Sequence, residues 1–463
     1  MSEERKENFK EIPGMFDGPL MPLLIRLGVP MLAGQTVQLI YNITDAAFIS
    51  RIDRADPSLV GGVGIIFPIM FLAISIAVGM MTGVSSLVAR AIGERNFKVL
   101  DVVAESGMAL ALFFSFIFIF VSYVFNDALI ALLGAEGDYA RVALEYLNYI
   151  IPAAAAGFVM NILLGILQGE GQVTYIMKVM FIGTGLNIVL DPVFIFLLDL
   201  GVAGAAMATM VAQFIAMFYA FTPFLRQKVS VKIHWKPENI SLNVIGRIAS
   251  VGFPQALGMM LMAVSFLFLN RIIMDIDPLA LTAFSLCGRF DQAVLMPSFA
   301  LGGALITIMG QNGGRGLHER AMQAWYKALL AGTVAVVVMA AFLVIPAPWI
   351  FSFFSDIPEV VSYAVRQIRL VEFTFVFAMV AIVNRSAFQA VGYPLPALFL
   401  VFLRLILISI PSAYLFVYVF GWGVYGVWGA LVGSSFITCI LSFVWLRRVL
   451  KQIIAGTRDV RKV

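Results

Sequence analysis

The chain has 463 residues, of which 61% are hydrophobic and only 13% charged, whereas a soluble domain runs about 45–50% apolar and about 25% charged. No single soluble core hides that much apolar surface, which excludes a water-soluble enzyme. The net charge of +4 is too small and too dispersed for a nucleic-acid binder. Cys287 and Cys439 sit inside apolar runs, and His234 and His318 in basic polar loops, so neither a disulfide framework nor a metal site is expected.

A helix needs about 20 apolar residues to cross a ~30 Å hydrocarbon core. Twelve runs qualify in chain order: 20–49, 58–87, 100–125, 140–167, 173–198, 201–224, 244–272, 279–311, 322–346, 358–390, 394–419 and 424–446. They are apolar throughout rather than alternating, which argues against a β-barrel. The first 18 residues are polar and no small-residue cleavage site follows an early apolar stretch, so no removable signal peptide is expected. Lys and Arg concentrate at one set of span ends, from Arg5, Arg90, Arg226 and Arg315 to Arg447 and the tail, against Arg51, Arg54, Arg141 and Arg271 at the other. That asymmetry orients both termini to the cytoplasm.

The expected fold is an all-α integral membrane protein of twelve transmembrane helices in two pseudo-symmetric six-helix lobes. The predicted organisation is a cytoplasmic segment 1–18, an N-lobe 19–224, a cytoplasmic linker 225–243, a C-lobe 244–448 and a cytoplasmic tail 449–463. The two halves match at nearly constant offset: Gly28 and Pro30 on Gly252 and Pro254, Asp53 on Asp277, Gly79 on Gly302, Gln168 on Gln389, and Gly201 and Gly204 on Gly423 and Gly426. Six spans per half give parallel repeats related by an axis along the membrane normal, the usual build of alternating-access carriers.

The most informative residues break this repeat. Asp45 falls on Leu269, Asp191 on Ser412 and Thr209 on Leu431. An aspartate inside the membrane is costly and so marks a role in one half only. At ~1.5 Å rise per residue, Asp45, Asp191, Thr209 and Tyr146 lie roughly 7–12 Å in from the outer face, with Tyr41 and Asn187 one helical turn below the two acids. Two carboxylates in a poor dielectric resist joint ionisation, as a proton carrier requires. The same oxygens at Asp45, Asp191, Asn187 and Thr209 could hold Na⁺ instead. Arg289 and Asp291 in span 8 read either as a neutralising pair or as substrate-binding or gating residues. Glu372 and Asn384 also lie in the second half, with Arg385 and Arg404 expected to snorkel or pair near the cytoplasmic side.

The segments GVPMLAGQTVQLIYNITDAAFIS, VARAIGERN, LQGEGQ, LNIVLDPVFIF and GVAGAAMATMVAQ together resemble the multidrug and toxic compound extrusion family, in particular the branch named after DNA-damage-inducible protein F. The resemblance covers the whole chain. It implies two lobes around a central cavity and a multi-pass plasma-membrane protein, bacterial or archaeal. It further implies an exchanger of drug for H⁺ or Na⁺ with no cofactor, and Asp45 and Asp191 as the coupling acids. Tyr41, Tyr146, Asn187 and Thr209 fall on that branch's lobe-one network, and Pro30 on its bending helix. Arg289 matches a functional arginine of helix eight in some members.

The expected activity is antiport of amphipathic, often cationic small molecules, by a monomer in the bilayer. A lipid or lipid-linked saccharide flippase of a related two-lobe plan remains open, with Arg289 and Arg404 as its basic residues. No H-E-x-x-H or Walker loop supports a membrane enzyme, and GWGVYG at 421–426 joins two spans rather than opening a dinucleotide fold. A channel would not need ionisable groups confined to one half.

Overall fold

The structure is a computed structural model and describes residues 11–49, 52, 56–234 and 236–461; the side chain of Tyr41 lies outside the described ones. The described residues form helices and no strands. Among the described residues twelve helices are long and apolar enough to cross a membrane. We number them α1 Leu20–Ile49, α2 Phe67–Gly93, α3 Phe97–Val124, α4 Gly137–Glu170, α5 Val173–Leu197, α6 Gly201–Leu225, α7 Leu242–Ile276, α8 Pro278–Gly314, α9 His318–Val344, α10 Pro358–Ala390, α11 Pro394–Val419 and α12 Val424–Ile454.

The second span departs from expectation. The apolar run at 58–87 is two helices: a short one, Pro57–Ile65, and then α2, which carries Pro68 in its first turn and continues to Gly93. Proline has no N–H and is tolerated where a helix starts, so Pro68 resets the helix there. Spans 7, 8 and 12 extend beyond the apolar stretch into polar ends.

The internal repeat is visible as repeated local geometry. Asp53 lies outside the described residues, and the structural counterpart of Asp277 is Asp56. Asp56 caps Pro57–Ile65 by accepting from the Ser58 N–H at 2.8 Å, and Asp277 caps α8 by accepting from the Leu279 N–H at 2.8 Å. Each cap precedes a proline at the first helical position, the arrangement in which the missing N–H costs nothing. Likewise α5 ends in a π-helical turn, Val193–Leu197, and α11 in another, Leu415–Val419.

The next helix then packs back on that turn. Gly201 and Gly423 take φ of +53° and +56°, open to glycine at little cost. A Cβ at Gly204 would meet the Phe194 carbonyl oxygen at 2.6 Å, and one at Gly426 the Phe416 Cβ at 3.0 Å. The GWGVYG segment is therefore a tight interhelical turn.

Two compact units emerge from the contacts. One comprises 33–256, the other 11–32 with 257–461. Thus α1 changes unit after Leu32 and α7 after Ala256, each two residues beyond a repeat-related proline, Pro30 or Pro254. Each proline withholds a donor from the carbonyl one turn back.

Within the first unit, the 225–243 segment is strapped down rather than loose. Glu170 accepts from the Ser230 and Val231 N–H groups at 3.0 and 2.9 Å. Asp101 accepts from Lys232 N–H at 2.9 Å. Glu105, 4% exposed, accepts from the His234 and Lys236 N–H groups at 2.8 and 3.1 Å and from Asn239 Nδ2 at 3.1 Å. Within the second unit, the entry segment is held by basic side chains. Arg320 donates to the carbonyls of Met15, Gly14 and Gly18 at 3.2, 2.8 and 2.7 Å. Arg315 pairs with Glu11 at 2.6 Å and covers the Phe16 ring. Residues that read as topology signals are also packing groups.

Candidate functional site

The first unit assembles its polar residues from three helices. Asp191 occupies the last full α-turn of α5, just before Pro192 and the π-helical turn, and is 0% exposed. A π-turn widens the helix and redirects the side chains around it, and such turns are frequent at functional sites. Asn187 lies one turn earlier on the same face, 3% exposed. Its amide is oriented by its neighbours: Nδ2 donates to Asp191 Oδ2 at 3.0 Å, while Oδ1 accepts from the Thr209 hydroxyl at 3.0 Å and the Thr209 backbone N–H at 3.1 Å. The reverse orientation would set the amide oxygen against a carboxylate.

Asp45 of α1 supplies the second acid. It is half-buried, and its carboxyl is near enough for its charge to act on Asp191. Asp45 Oδ1 and Asp191 Oδ1 are buried with no donor. Buried acceptors are normally satisfied. Both acids thus keep one buried carboxyl oxygen without the donor such an acceptor normally has. Among the described residues no three His, Cys, Asp or Glu side chains come together as a metal site, so any ion here would depend on Asp, Asn and Thr oxygens.

Tyr146, 8% exposed, belongs to the apolar cluster that includes Ile150, Ile195, Ala205 and Ala206 and flanks the network from α4. Asp45, Asp191, Asn187 and Thr209 are thus brought together, with Tyr146 at their edge. Tyr41 falls on α1, but its side chain lies outside the described residues. Pro30 sits four helical turns before Asp45, in the portion of α1 that belongs to the other unit.

In the second unit Arg289 and Asp291, which read either as a pair or as binding or gating residues, form no ion pair. Arg289 is exposed, and two residues apart on a helix means opposite faces. The carboxyl of Asp291 instead comes within hydrogen-bonding reach of Glu372 on α10. Arg385 and Arg404 lie close enough to repel one another. Neither has an acidic partner among the described residues, and Arg385 Nε is buried without an acceptor. Asn384, by contrast, is satisfied: it accepts from Trp325 Nε1 at 2.7 Å and donates to Ser442 Oγ at 2.8 Å. Glu372 and the Arg385–Arg404 proximity were missed as site features because their partners are distant in sequence.

Known proteins resemble this chain over most of its length. The MatE family model matches residues 30–193 and 254–415, one match in each half of the repeat. The chain is 25% identical over 422 residues to a probable multidrug resistance protein NorM of Thermotoga maritima, covering 89% of each. It is 24% identical over 459 residues to an FAD transporter of Shewanella oneidensis, covering 97% of this chain and 99% of that one. A solved structure described as an outward-facing conformation of a multidrug resistance MATE family transporter of the MOP superfamily matches with a TM-score of 0.90 at 27% identity, over 96% of this chain and 99% of that one. Twelve membrane-length helices, a twofold repeat of local geometry and a family match spanning both halves have one reading: this chain is a multi-pass membrane transporter, not an enzyme, and belongs to the MatE family.

Proposed function

We propose that the protein is a secondary multidrug exporter that exchanges amphipathic, often cationic organic molecules for H⁺, with Na⁺ as the alternative coupling ion, by alternating access between two six-helix lobes. The observation that carries this reading is the Asp45–Asp191 cluster with its two donor-less oxygens. With both acids ionised, the cluster favours a bound cation or cationic drug. A proton arriving from outside removes that charge, and α1, free to bend at Pro30, releases the cargo outward. Asn187 Nδ2 donates to Asp191 Oδ2 while its Oδ1 stays bonded to Thr209, so the amide holds the ionised carboxylate in place. Each inward H⁺ gains about 2.3 kcal/mol per 100 mV of membrane potential, which supports roughly a fiftyfold gradient of a neutral cargo at ~1.4 kcal/mol per tenfold. The protein works as a monomer in a bacterial or archaeal inner membrane, both termini in the cytoplasm.

A second reading, export of an anionic amphiphile or a lipid-linked headgroup, is favoured by Arg385 and Arg404, two neighbouring cations with no acidic partner among the described residues. The relative named as an FAD transporter has a cargo of that charge. Vesicles containing the purified protein distinguish these readings. Ethidium efflux driven by an imposed ΔpH, insensitive to Na⁺ and abolished in Asp45→Asn, supports proton-coupled export. Efflux driven by a Na⁺ gradient assigns that ion, and unchanged efflux in Asp45→Asn defeats the coupling assignment. Export of FAD but not ethidium supports the anionic reading.

A further inference from the structure

The two halves of the repeat differ in how they neutralise the start of one helix. Helices α4 and α10 begin at Gly137 and Pro358, as far apart in sequence as Gln168 and Gln389. At that offset Ser362, Arg366 and Arg369 fall on Arg141, Glu145 and Asn148. In the first unit the charges cancel locally, since Arg141 pairs with Asp138 at 3.4 Å and with Glu145 at 3.8 Å. In the second unit they do not. Arg366 and Arg369 are exposed; Arg366 donates to Tyr425 Oη at 3.3 Å, and Arg369 has no hydrogen bond or ion pair among the described residues. Spacings of four and three put Ser362, Arg366 and Arg369 on one face of α10.

That face is one wall of a shallow open groove of about 650 Å³. The other wall is the short helix Ala347–Phe354 with the turn after it, which contribute Ser352, Ser355 and Asp356. Ser355 Oγ accepts from the Ile357 N–H at 3.3 Å, so its own proton is left to donate to a ligand. Two guanidiniums and one carboxylate give the groove a single net positive charge; Glu359 is exposed and outside its lining.

The groove also lies at a particular depth. Helix α10 has 33 residues, about 50 Å, and so outruns a ~30 Å hydrocarbon core. Arg366 and Arg369 lie 8 and 11 residues beyond Pro358, roughly 12 and 16 Å along the helix, near the boundary of headgroups and hydrocarbon. The short helix is amphipathic in the same place: Ala347 and Phe351 are 0% exposed, whereas Trp349 and Phe353 are 75% and 79% exposed. Such helices, with exposed aromatic residues, lie in the membrane interface. The first-unit counterpart, Asn126–Leu132, carries no aromatic residue. A guanidinium at this depth with no acidic partner is costly, and phosphate oxygens match its planar fork of donors.

We propose that the groove between the helix Ala347–Phe354 and the first turns of α10 binds the headgroup of a monoanionic membrane phospholipid. Arg366 and Arg369 hold the phosphodiester, the Ser355 and Ser362 hydroxyls donate to it, and Trp349 and Phe353 lie among the acyl chains. The single net positive charge matches a headgroup without an ammonium, since a zwitterion leaves that charge unbalanced. The site stands independently of the coupling ion and of the exported cargo.

Fluorescence quenching tests this on the full chain in phosphatidylcholine vesicles, titrated with phosphatidylglycerol or phosphatidylethanolamine whose acyl chains are brominated. The Trp349 signal is read as the difference between the native protein and Trp349→Phe. Phosphatidylglycerol should quench it at lower content than phosphatidylethanolamine, and Arg366→Gln/Arg369→Gln should remove that preference. One basic residue beside an anionic lipid is worth about fivefold, so the pair gives roughly thirtyfold. Arg369→Gln alone, which breaks no contact, carries the test if the double variant does not fold by thermal unfolding, and should weaken the preference about fivefold. Equal quenching by the two lipids overturns the proposal, as does a preference that survives the glutamines. Arg366→Lys/Arg369→Lys, which keeps charge without the fork, should hold phosphatidylglycerol more weakly than the native protein; full retention marks diffuse surface charge and overturns the site. A preference abolished by excess inorganic phosphate, with ionic strength held constant, assigns the groove to a free anion and overturns the lipid.

Discussion

Asn187 donates to Asp191 Oδ2 at 3.0 Å and accepts from Thr209 through its other end, so one amide ties the acid of α5 to the hydroxyl of α6. Thr209→Val removes the hydroxyl donor and leaves Asn187 Oδ1 with the backbone N–H alone. A net hydrogen bond of this kind contributes about 1 kcal/mol, so the variant should unfold slightly earlier while ΔpH-driven ethidium efflux falls several-fold. Thermal unfolding and efflux measured on the same preparation check this. A variant as active as the native protein removes Thr209 from the coupling network.

Glycine positions separate packing from flexibility. Gly204→Ala places a methyl 2.6 Å from the Phe194 carbonyl oxygen, which is backbone and cannot move aside. Overpacking of this kind costs about 1–3 kcal/mol, more than the roughly 1 kcal/mol gained from alanine's helix propensity. Gly185→Ala, within α5 with nothing inside 4 Å, should be neutral or slightly stabilising. The order of the two melting temperatures decides the matter.

The 225–243 strap depends on Glu105. Glu105→Ala removes three acceptor contacts at once. Hydrogen bonds to an ionised acceptor are each worth roughly 1.5–3 kcal/mol, although the strap is partly exposed and water replaces some of them. Amide hydrogen exchange at His234 and Lys236 should accelerate at least tenfold, with exchange in the α4 core unchanged. Retained protection would mean that Glu170 and Asp101 hold the strap unaided.

Acid should loosen the short helix Pro57–Ile65. The Ser58 hydroxyl, near the carboxyl but short of a full hydrogen bond, and the Ser58 backbone N–H, which donates at 2.8 Å, hold the Asp56 carboxyl below the usual carboxylate range. A group held low in the folded state contributes stability above its unfolded pKa and loses it as the pH falls through the folded value. The protection factor at Ser58, taken against intrinsic exchange at each pH, should therefore fall on acidification in the native protein. In Asp56→Asn, which caps without titrating, it should stay flat over the same pH range.

Much of this was legible in the chain itself. The spans follow from apolar length alone, and the repeat offsets pair Gly201 and Gly204 with Gly423 and Gly426, the glycines at the two matching turns. The positions of Asp45, Asp191, Asn187 and Thr209 were readable because helical spacing fixes which residues share a face. The Asp291–Glu372 contact was not, because 81 residues and an intervening helix separate the partners. The nearer charge, Arg289, seemed the natural partner only until helix geometry turned it to the opposite side.

The apolar content and its interruptions determined that the chain spans a membrane twelve times as two copies of one plan, since hydrocarbon admits only helices whose backbone groups are internally bonded. Tertiary packing alone decided which buried acids find donors and which do not. A carboxyl's partners are set by where helices cross, and crossings depend on glycine contacts, proline breaks and π-turns summed over the whole fold.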